Sequence, residues 1–167
     1  MIYVTPAPEH PLDQGDLVER CPIVDITSCV PDQMPPLPVE FEFHRVVVLT
    51  QTCDLANSKA TGVTVAEVSD AQSWVDRQLL KPADIKGSLR SGRIWGLYFL
   101  PADVALGLPE MIVDFRRLHT VRLDLLKGLC QSGKRRGRVA PLYREHLAKH
   151  FADTFSRIGL PKPYETM

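Results

Sequence analysis

The chain has no excess charge of either sign. Twenty Lys and Arg stand against twenty Asp and Glu in 167 residues, so no global field draws nucleic acid or a membrane to it. Any anion binding has to come from a local cluster. It also has no paired cysteines: Cys21, Cys29, Cys53 and Cys130 are scattered without a CxxC, which argues against a zinc ribbon or a disulfide scaffold. No apolar run approaches the ~18 residues of a membrane helix, and Met1–His10 lacks the apolar core of a secretory leader. These absences lead us to expect a cytoplasmic protein with reduced thiols and no membrane contact. There is no internal repeat and no break in composition. One domain over residues 1–167 is expected, with 1–12 as a proline-rich surface arm.

Proline, by contrast, is plentiful. Fourteen prolines favour strands and ordered loops over a helical bundle, because proline interrupts helices and central ladders alike. The most telling stretch is His44-Arg45-Val46-Val47-Val48-Leu49-Thr50-Gln51-Thr52-Cys53-Asp54. Its aliphatics call for a strand buried on both faces, and its small polar tail emerges where that strand leaves the core.

Around it, Leu17–Ile26 reads as a first strand and Thr27–Val39 as a proline-rich loop. Phe41 and Phe43 alternate with Glu40, Glu42 and His44, the pattern of a half-exposed approach. Asp54–Lys59 reads as a turn, Gly62–Val68 as a strand, and Ser69-Asp70 as the start of a helix carrying Ala71, Trp74, Val75 and Leu79. Further strands are expected at Ile94–Leu100, Met111–Phe115 and Thr120–Leu125. A closing helix over 141–159 places Leu147, Phe151, Phe155 and Ile158 in one stripe. The fold class is therefore α+β, mainly β: a small bent antiparallel barrel with an inserted helix and a C-terminal amphipathic helix.

Gly15-Asp16-Leu17-Val18, a long loop, and then Arg45-Val46-Val47-Val48-Leu49-Thr50 resemble the opening of the PemK/MazF-type toxin family over about the first 70 residues. The resemblance implies an SH3-like barrel and RNA cleavage by a basic residue and a hydroxyl. Arg45 and Ser69, or Thr52, are the counterparts. The family's glycine-rich loop is replaced here by a proline-rich one. The rest of the chain is similar to small bacterial proteins that carry a Gln-Thr-Cys-Asp segment, an Asp-Phe-Arg-Arg segment and a Tyr-Arg-Glu-His-Leu helix, likenesses that imply no activity.

Other candidate chemistry is read from the residues. Cys53 could be a nucleophile with His119 or His44 as base, Asp54 orienting it and Gln51 stabilising charge; the plainer reading is a packed cysteine. Asp54 can equally close its own turn as an Asx residue. A basic loop, Lys134-Arg135-Arg136-Gly137-Arg138, and the pair Arg116 and Arg117 with His119 offer phosphate contacts. They could also pair with Asp54 and Asp114 as a polar network. His146 and His150 have chelate spacing on the last helix but fall beside its polar face, so no metal is expected, and no cofactor motif is present.

The function expected first is a non-catalytic bacterial module that binds a protein partner encoded nearby, RNA or a phosphorylated ligand, within a toxin or phage-defence system. The alternatives are a PemK/MazF-like endoribonuclease and a Cys53-dependent hydrolase.

Overall fold

The computed structural model describes residues 1–26, 39–57 and 61–156. At its centre, Val46, Val47 and Val48 are fully buried and Leu49 nearly so. They close a strand from Val39 to Val48 (β3), flanked by Asp16–Ile26 (β2) and Gly62–Asp70 (β4). Tyr3–Val4 (β1), Leu97–Leu100 (β5), Met111–Arg122 (β6) and Arg135–Val139 (β7) complete one antiparallel sheet in the order β1-β7-β2-β3-β4-β6-β5. Helical segments are Thr52–Ala56 (α1), Ala71–Asp76 (α2), Pro82–Asp84 (α3, running on as a π-turn over Ile85–Leu89), Leu123–Gln131 (α4) and Tyr143–Phe155 (α5). No helix among the described residues is long and apolar enough to cross a membrane.

The alternation of β3 sorts the core. Val47 and Leu49 face a cluster with Leu17, Ala66, Val68, Phe115 and Leu147 of α5. Val46 and Val48 face the other side, with Val63, Val65, Val121 and, from α4, Leu126 and Cys130. Both faces of the strand are thus covered, as a continuous aliphatic run requires. α4 is only 9 residues long and roofs just one half of its face. At the other end of that face Ala71, Ile85 and Leu89 pack on Leu97 and Ile112.

The sheet does not close into the expected barrel. β1 and β5 form no ladder with each other among the described residues. They meet through a side chain instead: the Tyr3 hydroxyl donates to the Pro101 carbonyl, just past β5, at 2.7 Å. Tyr3, Tyr98 and Leu100 share one cluster, so the sheet curls until its edges touch. A strand of two residues is too short to supply the closing hydrogen bonds.

Several local expectations are revised. The N-terminal segment is no loose arm, since Tyr3 is buried in β1 and Leu12 is buried as well. The strands expected at Met111–Phe115 and Thr120–Leu125 are one bulged strand, β6, followed by helix α4, which the wet-face alternation of residues 120–125 concealed. The basic loop is the strand β7. The turn after Cys53 is the helix α1, and α5 begins at Tyr143, after Leu142 at φ 73°. Phe155 is exposed, while Ile158, Cys29 and most of the proline-rich loop lie outside the described residues. β2 and β3 continue past the sheet as a two-stranded ribbon, and Val24, Val39, Phe41 and Phe43 are exposed on it.

Candidate functional site

The same face also holds a groove of about 630 Å³ lined by Glu42, His44, Glu67, Ser69, Trp74, Arg77, Leu79, Asp114, Arg116 and Arg117. Register explains its contents. Glu67 lies opposite Val46, and His119 opposite Val65, so both share the face of those buried valines. Beyond the end of α4, that face carries polar groups where apolar ones would otherwise stand.

A large bulge in β6 supplies the arginines. Ala66 pairs with Leu118 while the next residue, Glu67, pairs with Asp114, which leaves Phe115, Arg116 and Arg117 without ladder partners on β4. Bulges re-aim side chains in this way. The Phe115 N–H donates to the Gly96 carbonyl at 2.8 Å and the Arg116 N–H to Asp114 Oδ1 at 3.0 Å. Gly96 is at φ +74°, and a Cβ there would meet Arg116 Cγ at 2.8 Å. Only glycine lets the Arg116 side chain cross that turn without strain.

Within the groove, Glu67 is 9% exposed and gathers three cationic or imidazole groups. His119 Nε2 lies 2.8 Å from its Oε1, Arg117 Nε lies 2.9 Å from the same oxygen, and His44 Nδ1 lies 3.5 Å from Oε2. His44 Nε2 reaches the exposed Glu42 at 3.3 Å. Beside them Arg116 forks onto Asp114 through Nε and Nη2, both at 2.8 Å, and this hydrogen bonding holds its guanidinium above its already high pKa. Trp74 is fixed by its indole N–H donating to Ser69 Oγ at 2.6 Å.

Such an assembly has a buried carboxylate, two partly exposed imidazoles and guanidiniums at the rim. It places His44 and the guanidiniums on the groove wall and His119 next to them on Glu67, a set that can accept a proton, donate one and bind an anion. The histidine and arginine positions were visible in the sequence as separate candidates. Glu67 was not singled out, although an acid in phase with Val63 and Val65 on a strand marks a polar group on a buried face.

Of the other expected site residues Ser69 lies in the groove, where it holds the Trp74 indole, and the rest fall elsewhere. Arg45 and Ser69 lie on opposite faces of the sheet: Arg45 is paired with Val68, one residue out of phase with Ser69. Arg45 binds Glu19 at 2.7 Å and Asp70 at 2.6 Å. Burial opposes its charge, but those two carboxylates outweigh it and raise its pKa.

Thr52 donates to Asp13. Cys53 is exposed, and its Sγ meets Gln51 Oε1 at 3.7 Å and Asp54 Oδ1 at 3.8 Å. The imidazoles proposed as its base are both at Glu67 instead.

Of the basic run, Arg135 and Arg138 are structural. Arg138 Nε donates to Asp16 Oδ1 at 2.6 Å, and Arg135 Nη1 to Asp16 Oδ2 at 3.2 Å. Arg135 also donates to the carbonyls of Pro11 and His10, and Arg138 to that of Pro11, so the pair clamps the N-terminal segment. Arg136 is exposed and donates to the Leu106 carbonyl at 3.2 Å, and Lys134 is half-buried.

His146 is exposed, as expected for a solvated histidine, with Tyr98 Oη 3.0 Å from its Nδ1, while His150 is half-buried with its ring against Tyr98. No protein-family model matches the chain, and a search of curated proteins finds no significant match.

Proposed function

We propose that the groove binds and cleaves RNA, using His44 and His119 as the acid–base pair and Glu67 as the carboxylate that orients them. The observation that carries this reading is the convergence of His44, His119 and Arg117 on the buried Glu67, open to a groove. RNA suits it because its 2′-hydroxyl is a nucleophile already placed beside the scissile phosphate, so the protein need supply only proton transfer and charge stabilisation.

Neutral His44 takes the 2′-hydroxyl proton as the 2′-oxygen attacks phosphorus. His119 as imidazolium gives a proton from Nδ1 to the departing 5′-oxygen. The 2′-O–P bond forms and the P–5′-O bond breaks, leaving a 2′,3′-cyclic phosphate and a 5′-hydroxyl. Glu67, bonded to His119 Nε2, stabilises the imidazolium and leaves Nδ1 to give the proton, as a buried carboxylate does for a catalytic histidine. The Arg117 and Arg116 guanidiniums face the charge growing on the phosphate oxygens.

This deepens the nucleic-acid part of the sequence-based expectation and moves the reacting groups from Arg45, Ser69 and Thr52 to His44, His119 and Glu67. The curled sheet, its edges meeting at Tyr3, supports an SH3-like barrel ancestry in the same reading, and the free thiols of Cys21, Cys53 and Cys130 support a reducing, cytoplasmic setting.

The test is cleavage of a labelled RNA oligonucleotide with EDTA present, because the proton balance closes on protein groups alone. The full chain should yield cyclic-phosphate ends, and His119→Ala and His44→Ala should each slow the reaction by about 10²–10⁴-fold. Absence of cleavage, or an equal rate in the double variant, refutes the activity. Binding without cleavage would return the groove to the non-catalytic reading.

A further inference from the structure

The groove extends past His44 to the end of α2, and this end has features that acid–base chemistry does not use. Arg77, at the C-terminal cap of α2, is exposed and has no ion-pair partner among the described residues. This differs from Arg116 and Arg117, which hold Asp114 and Glu67. Gln78 follows at φ 57°, a left-handed conformation that costs a non-glycine residue energy and that is found where a backbone is held for a purpose. The turn it makes is pinned by the N–H groups of Gln78, Leu79 and Leu80 donating to the carbonyls of Val75 and Trp74. Its result is that Leu79 stands 51% exposed on the groove wall while its neighbour Leu80 packs inward. Trp74, whose indole N–H is fixed by Ser69, forms the adjoining wall.

The Arg116 guanidinium already lies over the Trp74 ring, 5.7 Å from its centroid, so an unpaired cation next to this wall matches one nucleotide: its phosphate on the Arg77 guanidinium, its unpaired base against the wall that Leu79 and the Trp74–Arg116 pair make. Resting on the RNA reading of the groove, we infer that Arg77, Leu79 and Trp74 form a second nucleotide subsite, which holds the residue flanking the scissile phosphate and makes longer strands better substrates than dinucleotides. Binding at such a remote subsite contributes to turnover when it positions the reacting bond.

The experiment compares the full-length wild type with Arg77→Gln and Leu79→Ser, two exposed positions where substitution leaves the fold intact. Affinities are measured by anisotropy for a labelled 2′-O-methyl RNA dinucleotide and a 2′-O-methyl hexanucleotide, neither of which can be cleaved. The hexanucleotide should bind the wild type more tightly than the dinucleotide. That advantage should fall about tenfold in Arg77→Gln and about threefold in Leu79→Ser. Hexanucleotide affinity unchanged in both variants overturns the subsite while leaving RNA cleavage standing. Loss of affinity in both variants, together with failure of the wild type to cleave unmodified RNA, sustains the subsite and overturns the cleavage reading. A wild type that binds neither probe overturns both.

Discussion

Asp16→Asn probes the most heavily hydrogen-bonded carboxylate among the described residues. Asp16 is 0% exposed, and the side chain of Arg135 is 2% exposed. Its oxygens accept from Arg138 at 2.6 and 3.0 Å, from Arg135 at 3.2 Å and from the Asp13 N–H at 2.9 Å. Asparagine preserves the shape but removes the charge and turns an N–H₂ group toward a guanidinium. Two desolvated cations then lose their shared anion. Breaking a buried pair from one side costs about 3–5 kcal/mol, a large part of a domain's roughly 5–15 kcal/mol.

For a chain of this size each kcal/mol lowers Tm by about 2–4 °C, so the variant should melt roughly 10 °C below the wild type. Thermal and urea unfolding followed by far-ultraviolet circular dichroism measure this, with Arg136→Gln as the exposed neighbour expected to stay within about 0.5 kcal/mol. If Asp16→Asn loses less than about 1 kcal/mol, the cluster behaves as a solvated surface pair and the structural role of Arg135 and Arg138 is wrong. The outcome also separates two uses of the basic run, because residues that clamp the N-terminal segment affect stability rather than affinity for an anion.

Burial, followed by the charge of His146, holds His150 below its ordinary imidazole value, against the opposing effects of the Leu97 carbonyl and Asp153; Lys149 adds to the lowering. The unfolded chain therefore takes up that proton first as pH falls. The stability tied to neutral His150 is complete above about pH 6.5 and is lost as pH drops from there through its folded value. Wild type should lose more stability between pH 7.5 and 5 than His150→Gln does, and parallel melting curves would contradict this.

Burial also raises the thiols of Cys21 and Cys130, each to about 11, whereas Cys53 is exposed. Among these three, iodoacetamide should label Cys53 first in the native protein. Protection of Cys53 equal to that of Cys21 and Cys130 would show that α1 is covered.

What the sequence alone determined was everything that follows from local pattern. A run of Val46–Leu49 has no face to give to water, so it had to be a central strand. Proline spacing kept helices short, and Leu147 had to face a core. The polar tail Gln51-Thr52-Cys53-Asp54 did emerge at the strand's end, as its composition required.

Tertiary structure alone decided the partners. Glu67 meets His44 and His119 only because β3, β4 and β6 lie side by side in one register and a bulge of Phe115–Arg117 turns guanidiniums into the groove. That bulge depends on Gly96, some twenty residues upstream. Likewise, Arg135 and Arg138 read as a free cationic loop until Asp16, more than a hundred residues away, is found between them. Residues on different strands meet through backbone pairing and sheet curl, and neither has a signature in the local order of side chains.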